Sequence, residues 1–183
     1  MGKCHEKKPE HHLQLRVREL GQLFNSMDPT PFLNKDLDRE AEAFIETWAA
    51  EFSSDSRLRI TIHLEHLPAE GDPSAIMIEA IHNYFDHKAG LTRSELKHLL
   101  RDGRISLVIG IAFVTLCLIA VDVIGQLGTG AVVGTARESL MIVGWVAMWR
   151  PLQIFLYDWW PLLRLMRVYK AISHAHVRVV QGK

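Results

Sequence analysis

The chain has 183 residues, 48% of them hydrophobic, and 21 basic side chains balance 21 acidic ones. That balance excludes a general nucleic-acid binder, which carries a basic surplus. Cys4 lies near the start and Cys117 inside an apolar run, so a disulfide framework is excluded too.

The zero average hides a division. Residues 1–104 have the charge density of a soluble domain, whereas 105–163 are mostly apolar. The opening MGKCHEKKPEHHLQLRVREL lacks the apolar stretch of a signal peptide. It has Gly2 but places Glu6 where a myristoylation signal wants Ser or Thr. Residues 1–12 read as a disordered tail. Cys4, His5, His11 and His12 crowd there, but their spacing fits no zinc framework and no metal site is assigned. His63 and His66 bracket a strand end, and His82 and His87 stand on different faces of a helix. No HExxH and no nucleophile elbow occurs, so no catalytic residue and no cofactor is assigned.

Residues 13–103 read as an α+β cytoplasmic domain. HLQLRVRE (12–19) alternates apolar and polar side chains as a strand does, although Leu13, Val17, Leu20 and Phe24 also suit a helix. Prolines 29 and 31 then force an extended or turning segment. Leu37, Ala41, Phe44, Ile45, Trp48, Ala49 and Phe52 recur at helical spacing, with Asp36 as the expected N-cap. RLRITIHL (57–64) is the clearest strand, with Leu58, Ile60, Ile62 and Leu64 on one face.

Asp72 and Pro73 open a second helix, which Gly90 is expected to end. Thr92 and Glu95 form a capping box for a short third helix, with Gly103 as its break. The order is β-α-β-α with a small two-layer sheet, followed by an α-helical transmembrane hairpin. Two strands are marginal alone, so a homo-oligomer completing the sheet across subunits is expected. The outer faces of the strands carry Arg16, Arg18, Arg57 and Arg59. They suit an acidic partner or anionic headgroups, or simply a solvated face.

The hairpin is placed at 104–158. ISLVIGIAFVTLCLIAV (105–121) has no charge, and extension to Leu127 gives the length a bilayer needs, with Asp122 near one membrane face. GQLGTGAVVGTARE (125–138) reads as a glycine-rich turn without the context of a phosphate-binding loop. The second span is SLMIVGWVAMWRPLQIFLY (139–157). Arg93, Lys97, Arg101 and Arg104 precede the first span, and Arg164, Arg167, Lys170 and Arg178 follow the second, whereas the turn has Arg137 beside Glu138. Both termini are therefore expected in the cytoplasm.

Arg150 stands within the second span and Pro151 follows it. Pro151 cannot donate to the carbonyl of Ala147, nor Pro161 to that of Tyr157, so a kink or break is expected. Arg150 either snorkels toward the cytoplasmic headgroups or pairs with a carboxylate. Asp158 is the nearest candidate, and Asp122 lies roughly 10–15 Å away by helical rise. Trp149, Tyr157, Trp159 and Trp160, with Arg164 and Arg167, suit interfacial anchors. Residues 159–183 read as an amphipathic interfacial tail.

FNSMDPTPFLNKDLDREAEAFI (24–45) and GWVAMWRPLQIFLYDWWPLL (144–163) resemble motifs of a family of small, uncharacterised bacterial inner-membrane proteins. The resemblance spans most of 13–169. It implies a cytoplasmic N-terminal domain, a C-terminal membrane hairpin and no assigned reaction. It also implies that Arg150-Pro151 and Tyr157-Asp158-Trp159-Trp160-Pro161 act as one unit.

These readings lead to a multi-pass, non-enzymatic inner-membrane protein. Its expected partners are the lipid bilayer, further copies of itself and a membrane or cytoplasmic protein docked at the cytoplasmic face. The competing expectation is an oligomeric channel or transport subunit using Arg150.

Overall fold

The computed structural model describes residues 9–19, 22–25, 35–52, 56–65, 74–128 and 130–181. They fall into two compact units, one formed by Met1–Thr92 with Arg164–Lys183 and the other by Arg93–Leu163. The second unit is therefore an insertion within the first along the chain. The expected segments Asp72-Pro73, His66 and the prolines at 29 and 31 lie outside the described residues, as do Cys4 and His5.

The first unit is built on a parallel three-stranded sheet of β1 (Glu10–Val17), β2 (Arg57–Leu64) and β3 (His176–Gln181), with β2 in the centre. Leu13 pairs with Ile60 and Leu15 with Ile62 across β1 and β2. Ile60 pairs with Val177 and Ile62 with Val179 across β2 and β3. Strand side chains alternate between faces, so one face is a continuous apolar layer. On it pack Ile45 and Ala49 of α1 (Arg39–Ala50), Met77, Ile81 and Phe85 of α2 (Ser74–Leu127), and Val168, Tyr169 and Ile172 of α5 (Trp159–Ser173).

Two expectations change here. The sheet obtains its third strand from within the chain, so a second subunit is not required to complete it. Within the expected interfacial tail, Val168, Tyr169, Ile172 and Val177 lie instead in the core of the first unit. Parallel strands need long crossovers, and the crossover from β2 to β3 contains the whole second unit.

The N-cap of α1 is Asp38, whose carboxylate accepts from the Glu40 amide at 3.0 Å. Asp36 lies too early, because Leu37 is held extended in a bridge to Phe24. The Asp36 carbonyl accepts from Asn25 and the Asp38 amide donates to Leu23. Leu23, Phe24 and Leu37 are buried beneath this bridge.

The second helix does not stop at Gly90, Thr92 or Gly103. α2 runs for 54 residues. A glycine inside a helix costs only about 1 kcal/mol, too little to break a segment anchored by packing. Instead of capping a new helix, Thr92 Oγ1 donates back to the Lys88 carbonyl at 3.0 Å.

In the second unit α2 is followed at once by α3 (Ala131–Ala147), so most of the glycine-rich stretch is helical and Arg137 is a helix residue. Gly125 faces the Arg137 guanidinium, Gly144 faces Cys117, and Gly110 faces Met148 and Ala147. These pairings descend along α2 as they ascend along α3, so the two helices pack antiparallel. Gly103, Gly110 and Cys117 are seven apart, which keeps small residues on one face at close approach. Gly103 lies against Ile154, where an added Cβ would come within 2.7 Å of a side-chain methyl. It is a packing position, not a hinge.

Met148 makes a tight turn, its amide donating to Trp145 at 3.1 Å. α4 (Trp149–Gln153) follows, then a π-helical turn (Ile154–Asp158) that runs into α5. The helix irregularity expected from Pro151 and Pro161 is absorbed by these two local adjustments, without a coil segment. Among the described residues two helices are long and apolar enough to cross a membrane, Ser74–Gln126 and Ala131–Ser173.

Candidate functional site

Among the described residues, every helix of the first unit packs on the same side of the sheet. No described helix covers the other side. That side carries Glu10, His12 and Arg16 from β1, Arg57, Arg59, Thr61 and His63 from β2, and His176 and Arg178 from β3, by alternation and register. Arg16, Arg57, Arg59 and Arg178 are all exposed. Glu10 is the one carboxylate among them and pairs with Arg59 at 2.6 Å. His12 Nε2 lies 2.7 Å from Thr61 Oγ1, which fixes the middle of this face. Parallel sheets are normally covered on both sides, so a bare cationic face is unusual for this sheet type.

Of the arginines expected there, Arg16, Arg57 and Arg59 share the face. Arg18 lies just past the end of β1 and is 3.9 Å from Glu65. Arg178 was the residue missed. The period-two pattern Val177, Arg178, Val179 was its signal, and it was absorbed into the supposed tail. His11 points the opposite way from His12 and stacks on Phe52, with ring centroids 3.8 Å apart. The two histidines therefore do not converge.

At the beginnings of β2 and β3 the face continues into a cleft of about 860 Å³. Arg167 and Lys170 of α5 line it beside Arg57, Arg59, His176 and Glu10. Arg167 thus belongs to this cleft. Arg164 donates from Nη2 to the Ala50 carbonyl at 2.9 Å. It satisfies an end of α1 that has no basic residue of its own in its last turn.

Behind the sheet, three helices meet at a polar cluster. Tyr84 donates to one oxygen of Glu42 at 2.7 Å, Lys88 pairs with the other, and Tyr169 donates to Glu46 at 2.8 Å. The Lys88 ammonium also lies over the rings of Tyr84 and Tyr169, at 5.5 and 5.7 Å. Burial pushes the Lys88 amine below its ordinary range, against an opposing pull from Asp36. Burial first, then Asp36, Tyr169 and Glu46, push the Tyr84 phenol up to about 12. This cluster ties helices together, and its Tyr84 also borders a cavity of about 270 Å³ with Asp36, Asn83 and His87.

In the second unit, Arg150 Nη1 lies 3.4 Å from Asp158 Oδ2. Residues eight apart on an α-helix are turned roughly 80° from each other. The π-helical turn holds one extra residue in each hydrogen-bonded ring. That brings Asp158 round to roughly where a seventh residue would stand, within about 20° of Arg150. Pro151 is buried, and the Trp159 indole donates to the Phe155 carbonyl at 2.7 Å. Trp149, Tyr157 and Trp160 are exposed, and Pro161 lies in the first turn of α5. Asp122 is engaged with Gln126 at 3.5 Å, on α2. Compared with protein-family models, with curated proteins and with solved structures, the chain has no match.

Proposed function

We propose that the chain is a non-enzymatic protein of the bacterial inner membrane, anchored by a two-helix hairpin with both termini in the cytoplasm. In this reading its first unit docks an acidic protein partner on the bare face of the sheet. The observation that carries the docking role is that face itself: four exposed arginines around one carboxylate, on a kind of sheet that usually has both sides covered. Membrane insertion is supported by exposure. Only 17% of the most apolar window of each long helix is buried, whereas the core helix of a soluble protein would be mostly buried. Two spans return the chain to its starting side, in keeping with Arg93, Lys97, Arg101 and Arg104 before the hairpin and Arg164 and Arg167 after it.

Like charges keep two copies from stacking through the arginine face. Self-association would instead use the open edges of β1 and β3. The pore alternative gains no support from Arg150, whose charge is matched by Asp158.

The test is purification of the tagged protein from its native membranes in mild detergent, read by native mass spectrometry. An acidic protein bound at fixed stoichiometry, and lost from the Arg16→Glu/Arg178→Glu variant, is the expected result. A pure homo-oligomer, or a partner retained by that variant, would overturn the docking role.

A further inference from the structure

The cleft at the strand beginnings differs from the sheet face that leads into it. The arginines of the face come from strands alone. The cleft is wide and open to solvent, and α5 adds Arg167 and Lys170 from a second element. Four basic side chains line it, Arg57, Arg59, Arg167 and Lys170, against the one carboxylate of Glu10. The surplus is three positive charges. Glu10 is already paired with Arg59 and holds that guanidinium in place.

We propose that this cleft binds a phosphate-bearing anion, either a soluble diphosphate-type molecule or the headgroup of an anionic lipid. Three properties support that chemistry. Guanidinium forks match phosphate oxygens in pairs of parallel hydrogen bonds, and here three arginines from two elements converge beside an ammonium. A diphosphate would balance the surplus of three charges. The volume, about 860 Å³, lies within the range of small-molecule sites, roughly 300–1,000 Å³.

The cationic groups also stand on fixed elements. β2 is the central strand. α5 is held by the buried Val168, Tyr169 and Ile172, and the segment after it by His82 Nε2, 3.0 Å from the Ala175 carbonyl. Such a site loses little freedom on binding. The cleft shares Glu10, Arg57 and Arg59 with the docking face, but Arg167 and Lys170 line the cleft and are not on the face, whereas Arg16 and Arg178 are on the face and do not line the cleft, so variants at the two pairs separate the readings.

The experiment uses the full chain in two settings. In neutral detergent at fixed ionic strength, sodium pyrophosphate is titrated by calorimetry. In phosphatidylcholine nanodiscs with and without phosphatidic acid, lipids retained by the protein are counted by native mass spectrometry. Saturable binding of pyrophosphate identifies a soluble ligand; selective retention of phosphatidic acid identifies a headgroup; either supports the site. Binding should weaken at least tenfold in Arg167→Gln/Lys170→Gln and survive in Arg16→Gln. The charge-preserving swap Arg167→Lys/Lys170→Arg should keep most of it, which guards against a variant that merely misfolds. No saturable binding of either probe, or binding undiminished in Arg167→Gln/Lys170→Gln, would overturn the proposal.

Discussion

Glu42 is the residue at which α1 and α2 are bound together. One of its oxygens takes the Tyr84 hydroxyl and the other the Lys88 ammonium, while that ammonium also rests over Tyr169 of α5. The Glu42 and Lys88 side chains are only 15% and 29% exposed. Replacing Glu42 with Ala leaves a largely buried ammonium and a phenol without their acceptor, at a cost of about 2 kcal/mol. The expected result is loss of hydrogen-exchange protection in β2 by about thirtyfold. Unchanged protection would mean that the cluster is solvated decoration.

The same cluster has a pH signature with two opposing signs. Tyr84 is raised to about 12 in the folded chain. Its contribution to stability is intact below the ordinary tyrosine value of about 10 and is lost as pH rises from there to the folded value. Lys88 is lowered from 10.5, so the unfolded chain keeps its proton longer and stability rises with pH through that window. The chain has three tyrosines. An ultraviolet titration should lose one late-titrating phenol in Tyr84→Phe. Loss of a phenol that titrates at the ordinary value would remove the assigned burial.

At the scale of elements, glycines separate into those that could be filled and those that could not. An added Cβ at Gly90 meets nothing, so Gly90→Ala should stabilise α2 by about 0.5–1 kcal/mol through its helix propensity. Gly103 faces Ile154 and Gly110 faces Met148, so Gly103→Leu should pry α2 from the segment after α3. Exchange protection along 105–121 is the measure: Gly90→Ala should leave it unchanged and Gly103→Leu should lower it.

These glycines also show what was legible from the sequence. Both looked like helix breakers, yet one is merely tolerated and the other is a contact, a distinction that only the neighbouring helix supplies. β2 was plain because its apolar alternation is complete over eight residues. β1 lies two residues earlier than its pattern suggests, and α1 begins at Arg39, capped by Asp38, because the Phe24–Leu37 bridge holds the preceding backbone extended. The ion pair of Arg150 with Asp158 was foreseeable by proximity, although the π-helical turn that aligns the two was not. The cleft was half legible: Arg57 and Arg59 stood out, but Arg167 and Lys170 reach them only because β3 carries the chain back to the sheet.

That return sets the folding logic of the whole molecule. The sheet and its helical layer cannot form from residues 1–92 alone, because α5 supplies Val168, Tyr169 and Ile172 and β3 supplies Val177. Those residues are made after the entire inserted unit. An isolated 1–100 fragment should therefore fail to protect β2 against exchange, for want of part of its own chain. A chain ending at Ser173, which keeps α5 and lacks β3, should keep the apolar spans but lose protection along β2, whose edge would then be open. The decisive molecule joins 1–92 to 164–183 through a flexible linker of about ten Gly and Ser residues, a length with a root-mean-square reach of roughly 15–20 Å. It should be soluble without detergent and sediment as a folded species, with β2 protected as in the full chain. If it is unfolded while the 1–100 fragment is folded, the C-terminal segment is not part of the core of the first unit. If both are folded, α5 and β3 are dispensable cover. Only a folded joined chain beside an unfolded fragment fits a domain divided in sequence by the unit inserted into it.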